Sequence, residues 1–178
     1  MDKLRVQLKN PESLGYIDII IQNVLETEFG FNELFELIFD VEKDVAWRAG
    51  WACDKISRKH PELFTEQMKQ RIIEAIPLEQ HNGTLRSLLS LMNNFKIPEN
   101  ISVELINKLF EWMISSHADV SHQVLSMKIL CKFCNYEPGF IPELLAYLEN
   151  INSQDFTPGF NSVRNKTIRF LNSKMSGM

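Results

Sequence analysis

The chain has 178 residues, of which 44% are hydrophobic and 24% are charged, and its formal net charge is −4. This length suits one globular domain with a sizeable core, and the twelve Phe and three Trp residues exclude a disordered chain. Three cysteines, an odd number, exclude a disulfide scaffold and favour a reducing compartment, and the negative net charge excludes a protein that is basic throughout.

The N-terminal segment carries no pattern typical of a targeting signal. Its first apolar run, residues 17–21, is short and contains Asp18, whereas a membrane-spanning helix needs about 20 apolar residues. Residues 12–28 place their apolar side chains at helical spacing, which predicts one leading helix rather than a strand. We therefore expect a cytoplasmic protein that does not associate with a membrane.

A repeated pattern occupies the rest of the chain. Four segments begin at Asp44, Asn82, Asp119 and Phe160, so their starts are 38, 37 and 41 residues apart. Each continues as a helical pattern, and three of the four carry arginine at the fifth position. Prolines between the segments end one helix and open another. Amphipathic runs, with apolar residues three and four apart, precede the segments over residues 32–39, 64–76, 102–114 and 142–151.

The pattern predicts an all-α fold of about nine helices, arranged as four helical hairpins and a leading helix. A period near 38 and a second helix that opens with Asp-x-x-[apolar]-Arg-x-small resemble a HEAT repeat. Residues 44–48 match this pattern, with Ala49 and Gly50 as the small residues; residues 82–86 match it more loosely, and the third unit departs from it with Gln123. The resemblance implies a short solenoid, a right-handed α-α superhelix, which serves mostly as a binding surface. It implies one domain over residues 1–178, with a leading or capping helix in 1–30, repeats over 31–173 and a tail at 174–178.

Charge is divided unevenly between the predicted helices. The second helices of the hairpins hold twelve Lys or Arg and three Asp or Glu, whereas the rest of the chain holds seven and twenty. Because second helices line one side of a solenoid, the sequence predicts one basic surface. A second interpretation stays open: cations at helix ends complement the helix dipole, and the resemblance to HEAT repeats implies that Arg48, Arg86 and Arg164 are structural and hydrogen-bond to the preceding turn or repeat. The candidate binding residues are Trp47, Arg48, Trp51, Lys55, Arg58, Arg86, Lys128, Lys132, Lys166 and Arg169.

Trp47 and Trp51 lie one helical turn apart, and two interpretations compete. Aligned by the repeat, they occupy the positions of Leu85 and Leu89, which predicts that both lie in the core. Considered alone, the helix has another apolar stripe on the opposite side, which would leave the two indoles exposed as a platform for a nucleobase or a peptide. That stripe consists of Val45, Ala49, Ala52 and Ile56.

No motif in the sequence points to catalysis. Cys131 and Cys134 form a single CxxC near the end of a helix, where the dipole does not lower a thiol pKa, so we interpret them as buried structural thiols. P-loop, dinucleotide-binding and HExxH patterns are absent from the sequence, so we expect no cofactor and no metal. The signature loop of adenylosuccinate lyases is also absent, so a lyase activity is not supported.

The sequence favours a non-enzymatic scaffold that binds a protein or another anionic partner along its second helices. The alternative is a nucleic-acid-binding protein similar to the HEAT-like DNA alkylation-repair glycosylases. For that function the nearest candidates are Trp47, Trp51, Asp54 and Arg58. We expect a monomer or a weak homodimer.

Overall fold

A computed structural model describes residues 2–10, 15–27, 30–99 and 101–177. Within these ranges the regular elements are ten α-helices and five short 3₁₀ turns, which confirms the all-α prediction. The helices form two compact units, Met1–Phe95 and Lys96–Met178. The assignment of residues 1–178 to one domain stays a prediction.

The N-terminal unit consists of two leading helices and two helical hairpins. The hairpins are α3 with α4 and α5 with α6, and a 3₁₀ turn ends the first member of each (Leu37–Phe39 and Ile76–Leu78). Another 3₁₀ turn, Pro61–Leu63, joins the two hairpins. The helices are α1 (Asp2–Lys9), α2 (Tyr16–Leu25), α3 (Gly30–Glu36), α4 (Lys43–Ser57), α5 (Glu66–Ala75) and α6 (Asn82–Asn94).

The C-terminal unit consists of two further hairpins, α7 with α8 and α9 with α10. The 3₁₀ turn Pro138–Phe140 precedes α9, and the turn Ser153–Asp155 joins α9 to α10. The helices are α7 (Val103–Ile114), α8 (Val120–Phe133), α9 (Ile141–Asn150) and α10 (Pro158–Ser176). In the part of the chain that is described, no helix is both long enough and apolar enough to cross a bilayer.

Side-chain caps fix where several helices begin. The hydroxyl groups of Thr65, Ser102 and Thr157 each accept a hydrogen bond from the backbone N–H three residues later, at 3.2 Å. These bonds satisfy amides that have no partner within the helix. Pro61 and Pro138 open 3₁₀ turns instead of the α-helices predicted after them, whereas Pro142 and Pro158 lie in the first turns of α9 and α10.

The sequence analysis missed the helix α1, so the described ranges contain ten α-helices rather than the nine predicted. Leu4 and Leu8, one turn apart, pack inward. On the polar face of α1, Arg5 forms ion pairs with residues more than thirty positions away in the sequence. Its Nε lies 2.6 Å from Asp40 Oδ2, and a second guanidinium nitrogen lies 2.8 Å from Glu42 Oε1. The predicted leading helix is confirmed as α2; of residues 12–28, positions 12–14 and 28 lie outside the described residues.

Contacts between aromatic rings add to the mainly aliphatic core of each unit. In the N-terminal unit, Phe64 contacts Phe31 and Phe95, with ring centroids 4.8 and 4.9 Å apart. In the C-terminal unit, Phe140 lies 5.6 Å from both Phe110 and Phe133. Such contacts contribute beyond the area they bury, and they hold the second helices in fixed positions within each unit.

Candidate interaction surface

The helix α4 buries its stripe of small apolar residues and turns its tryptophans away from the core. Val45, Ala49, Ala52 and Ile56 are at most 1% exposed, whereas Trp51 is 40% exposed and Trp47 is half-buried. The repeat-based prediction of a core position is therefore wrong for Trp51 and only partly met by Trp47. Small residues face inward because α4 packs closely against its neighbours, and bulky indoles find no space there.

The two indoles form an ordered pair at the surface. Their ring centroids are 6.1 Å apart and their planes differ by 18°. The guanidinium carbon of Arg48 lies 5.2 Å from the centroid of Trp47, and Lys55 Nζ lies 5.6 Å from that of Trp51. Trp47 Nε1 also donates to Asp44 Oδ1 at 3.3 Å. A partner would therefore meet aromatic side chains that are already oriented.

The helices α4 and α6 run side by side in the same direction, and a glycine on each allows their close approach. A Cβ atom on Gly50 would lie 2.8 Å from Cβ of Ser87, and one on Gly83 would lie 3.1 Å from Cβ of Trp47. Neither position has room for a side chain without movement of its neighbour. The start of α6 is thereby placed directly beside the tryptophan pair.

Asp54 joins the far ends of the same two helices. Its residue is 8% exposed, and its Oδ1 accepts hydrogen bonds from Ser90 Oγ at 2.6 Å and Asn94 Nδ2 at 2.9 Å. Its Oδ2 pairs with Arg58 at 2.8 Å. Oδ1 thus joins α4 to α6, while Oδ2 is engaged with the residue that caps α4, and the polar strip of α6 serves partly as a contact between helices. The sequence analysis missed this use of Ser90 and Asn94, which become neighbours of Asp54 only in the folded chain.

Most predicted binding cations of the N-terminal unit already have partners. One terminal nitrogen of Arg48 donates to the carbonyls of Leu8 at 2.8 Å and Lys9 at 3.0 Å, at the end of α1. Lys55 pairs with Asp18 of α2, and Arg58 pairs with Asp54. Arg86 differs, because it is exposed and makes no hydrogen bond or ion pair within the described ranges.

The four remaining predicted cations belong to the C-terminal unit. Lys128 is exposed on α8, and burial together with repulsion from Lys128 lowers the pKa of Lys132, one turn further along. Lys166 and Arg169 are exposed on α10, and Arg169 Nε donates to the carbonyl of Asn165 at 3.2 Å. Two of the predicted binding cations therefore lie on each second helix of this unit.

The thiols of the CxxC pair have raised rather than lowered pKa values. Burial raises the pKa of Cys134 to about 12 and also raises that of Cys131, which is half-buried. Cys53 is fully buried, and its pKa is raised for the same reason. A thiol with a raised pKa is a weak nucleophile and a weak metal ligand at neutral pH, in keeping with a structural role.

Comparison with known families and proteins gives two results. The family model described as a HEAT repeat domain matches residues 4–171. No curated protein matches the chain.

Proposed function

The chain belongs to the HEAT repeat family, and from this premise we propose that it is a non-enzymatic scaffold that binds a protein partner. The proposed binding surface is the exposed face of α4 and α6. The observation that carries the proposal is the stacked pair of Trp47 and Trp51, with Trp51 40% exposed. The neighbouring helix α6 presents Arg86, which makes no hydrogen bond or ion pair with any residue that the structure describes. Tryptophan and arginine are the residues most enriched at energetically dominant positions of protein interfaces.

We propose an acidic segment of the partner as the part that is bound. Among the described cations of α4 and α6, Arg86 is the one that an incoming carboxylate can reach without breaking an existing ion pair. Arg58 and Lys55 keep partly exposed side chains, which adds positive potential around the indoles. Such a potential favours encounter with acidic partners although the chain as a whole is negative.

Binding of nucleic acid is the second candidate, supported by the same indoles, on which bases can stack. The ion pairs weaken this candidate, because Arg48, Lys55 and Arg58 would have to exchange their present partners for phosphates. Asp54 is the carboxylate that the sequence analysis named as a candidate for a glycosylase-like function. Its Oδ1 is engaged with α6 and its Oδ2 with Arg58. The geometry therefore supports protein binding better.

Quantitative affinity capture from an extract of the source cells tests the proposal. The baits are the full-length chain, Trp51→Ala and Arg86→Glu, with Phe170→Ala and Lys59→Glu as matched controls for an exposed aromatic residue and an exposed cation. We expect proteins that the wild-type chain and both controls retain and that Trp51→Ala and Arg86→Glu lose. Equal retention by all five baits would contradict the proposal.

A salt titration separates the two candidates. The probe is a 20-base-pair DNA duplex, and the readout is its fluorescence polarisation. Binding that weakens steeply with salt, with a slope equivalent to several phosphate contacts, would favour the nucleic-acid function. We expect no binding of the duplex at physiological salt.

A further inference from the structure

The C-terminal unit has an open apolar groove on the side of its first helices. The groove has a volume of about 580 Å³, within the range of about 300–1,000 Å³ that is typical of ligand pockets. It lies between the end of α7, the exposed face of α9 and the turn that leads into α10. Its walls are formed by Ile114, Ala146, Tyr147, Asn150, Ile151, Asn152, Asp155 and Phe156.

The groove exposes large apolar side chains in a fixed arrangement. Ile114 and Tyr147 are each 40% exposed. The ring of Tyr147 rests on Phe110, with centroids 4.6 Å apart, and the ring of Phe156 stacks on the buried Phe160 at 4.4 Å. Exposed apolar side chains that are held in place from below are typical of a docking surface.

The turn that forms one end of the groove is pinned to the last helix. Asn161 Nδ2 of α10 donates to the carbonyls of Ser153 at 2.9 Å and Phe156 at 3.1 Å. Asn152 Nδ2 donates to Asp155 Oδ2 at 3.1 Å, which holds this carboxylate at the rim. The groove is therefore preformed, and a ligand would lose little free energy in ordering it.

Acidic side chains predominate around the groove, and the nearby cation Arg164 is already engaged, since its Nε donates to the carbonyl of Leu148 in the last turn of α9 at 2.7 Å. Residues 133–163 contain no Lys, Arg or His and four acidic residues, all of them exposed. Within the described ranges none of the four makes an ion pair with a cation. Asp155 lines the groove, and Glu143 lies one turn before Ala146 and Tyr147 on the same face of α9. The other two acidic residues are Glu137 and Glu149.

We propose that this groove binds a basic peptide segment of a partner protein, with one large apolar side chain inserted between Ile114, Tyr147 and Phe156. Lysine or arginine residues next to that side chain would pair with Asp155 and Glu143. Charge complementarity favours this occupant, because an acidic segment would meet the exposed carboxylates of Asp155 and Glu143, while Arg164 is already bonded to the carbonyl of Leu148 and to Asn161 Oδ1. The proposed acidic segment at Trp47 and Trp51 is a different ligand at a different surface, so either proposal stands without the other.

Selection from a library of random 12-residue peptides displayed on phage, with the full-length chain as target, tests the inference. We expect enriched peptides in which at least two Lys or Arg residues lie within three positions of a large apolar residue. Synthetic copies of these peptides are then titrated by fluorescence polarisation. No enrichment, or enrichment of peptides without cations, would overturn the proposal.

Variants of the target locate the binding. Ala146→Arg fills the groove and adds a positive charge that repels a basic peptide, so the selected peptides should bind this variant at least tenfold more weakly. Ser162→Arg adds the same side chain on the exposed face of α10 and should alter affinity less than twofold. The paired substitutions Glu143→Gln and Asp155→Asn, which change shape little, should weaken binding about two- to fivefold. Thermal unfolding checks that each variant is folded.

Two outcomes would assign the groove differently. If the selected peptides bind Ala146→Arg as tightly as they bind the wild-type chain, the groove is not their site and the proposal is wrong. If the wild-type chain dimerises and Ala146→Arg abolishes dimerisation, the occupant is a second copy of the chain, which also overturns the proposal.

Discussion

Gln123 Nε2 of α8 donates a hydrogen bond of 2.7 Å to the carbonyl of Ser115, the residue that ends α7. Gln123 occupies the repeat position that carries arginine in the other three units. Two of those arginines also donate to carbonyls at the end of a helix. Arg48 donates to the carbonyls that end α1, and Arg164 Nε donates to the carbonyl of Leu148 in the last turn of α9 at 2.7 Å. The last carbonyls of a helix lack partners within it, so a long donor at this position satisfies them whether or not it is charged.

Arg48 and Arg164 therefore have a structural role, whereas Arg86 is exposed. Replacing Arg48 with Ala removes two charge-assisted hydrogen bonds and the packing of its side chain over Trp47. We expect a loss of about 1.5–3 kcal/mol in the free energy of unfolding, measured by chemical denaturation. Arg86→Ala, at the same repeat position, should change it by less than about 0.5 kcal/mol. Equal losses would mean that Arg86 is also held by the fold.

The close approach of α4 and α6 at Gly50 predicts a strong effect of one added methyl group. Gly50→Ala would place Cβ 2.8 Å from Cβ of Ser87, and overpacking of this kind costs about 1–3 kcal/mol. Gly159→Ala is the matched control, because its nearest neighbour would be Oγ1 of Thr157 at 3.9 Å. Thermal unfolding should show a lowered Tm for the first variant and an unchanged or raised Tm for the second. An unchanged Tm for Gly50→Ala would contradict the interhelical distance.

Leu89 and Leu105 are fully packed in their units, at 0% and 1% exposure. Replacing either with Ala removes buried methyl groups and leaves a cavity, so we expect a loss of about 2–5 kcal/mol in the free energy of unfolding. Leu78→Ala is the control, since Leu78 is 75% exposed. Losses well under 1 kcal/mol at both buried positions would show that their faces are misassigned.

The ion pairs that hold α1 predict a dependence of stability on pH. Hydrogen bonds from Arg5 lower the pKa of Asp40, and those from Lys9 and Arg5 lower the pKa of Glu42. A carboxyl group with a lowered pKa in the folded state contributes stability above its usual pKa and loses it as the pH falls through the lowered value. We therefore expect Tm to fall between about pH 5 and pH 3.

Variants on α1 attribute this pH dependence to the ion pairs. Arg5→Met should flatten the decline of Tm below pH 5, because Asp40 then loses the donor that favours its charged form. Lys3→Met, an equal loss of charge on the exposed face of α1, should leave the slope as it is in the wild-type chain. Parallel pH profiles for all three proteins would refute the assignment.

Local sequence features predicted most of the helices. The apolar spacing of residues 102–114 gives α7, with Ser102 as its cap, and residues 142–151 give α9 to within one residue. The helix α1 was missed because only Leu4 and Leu8 face inward on a short polar segment. Its stability depends on Asp40, Glu42 and Arg48, more than thirty residues away, and no local pattern contains such partners.

The candidate surface was predicted only in part, and for the same reason. The sequence pointed to Trp47 and Trp51 as candidate residues and allowed both a core position and an exposed one, without deciding between the two. Whether the indoles are buried depends on how closely α6 approaches α4 at Gly50. That distance is set by tertiary packing and cannot be inferred from the local sequence.

By itself, the sequence determined the helical hairpins, their period and their family, since all three are written in spacing along the chain. Only the tertiary structure decided which charges are already engaged, which indole meets solvent and where α9 leaves an apolar groove open. Helix formation depends on residues three and four positions apart in the sequence. The burial of side chains and the pairing of charges depend instead on residues that other repeats bring into contact.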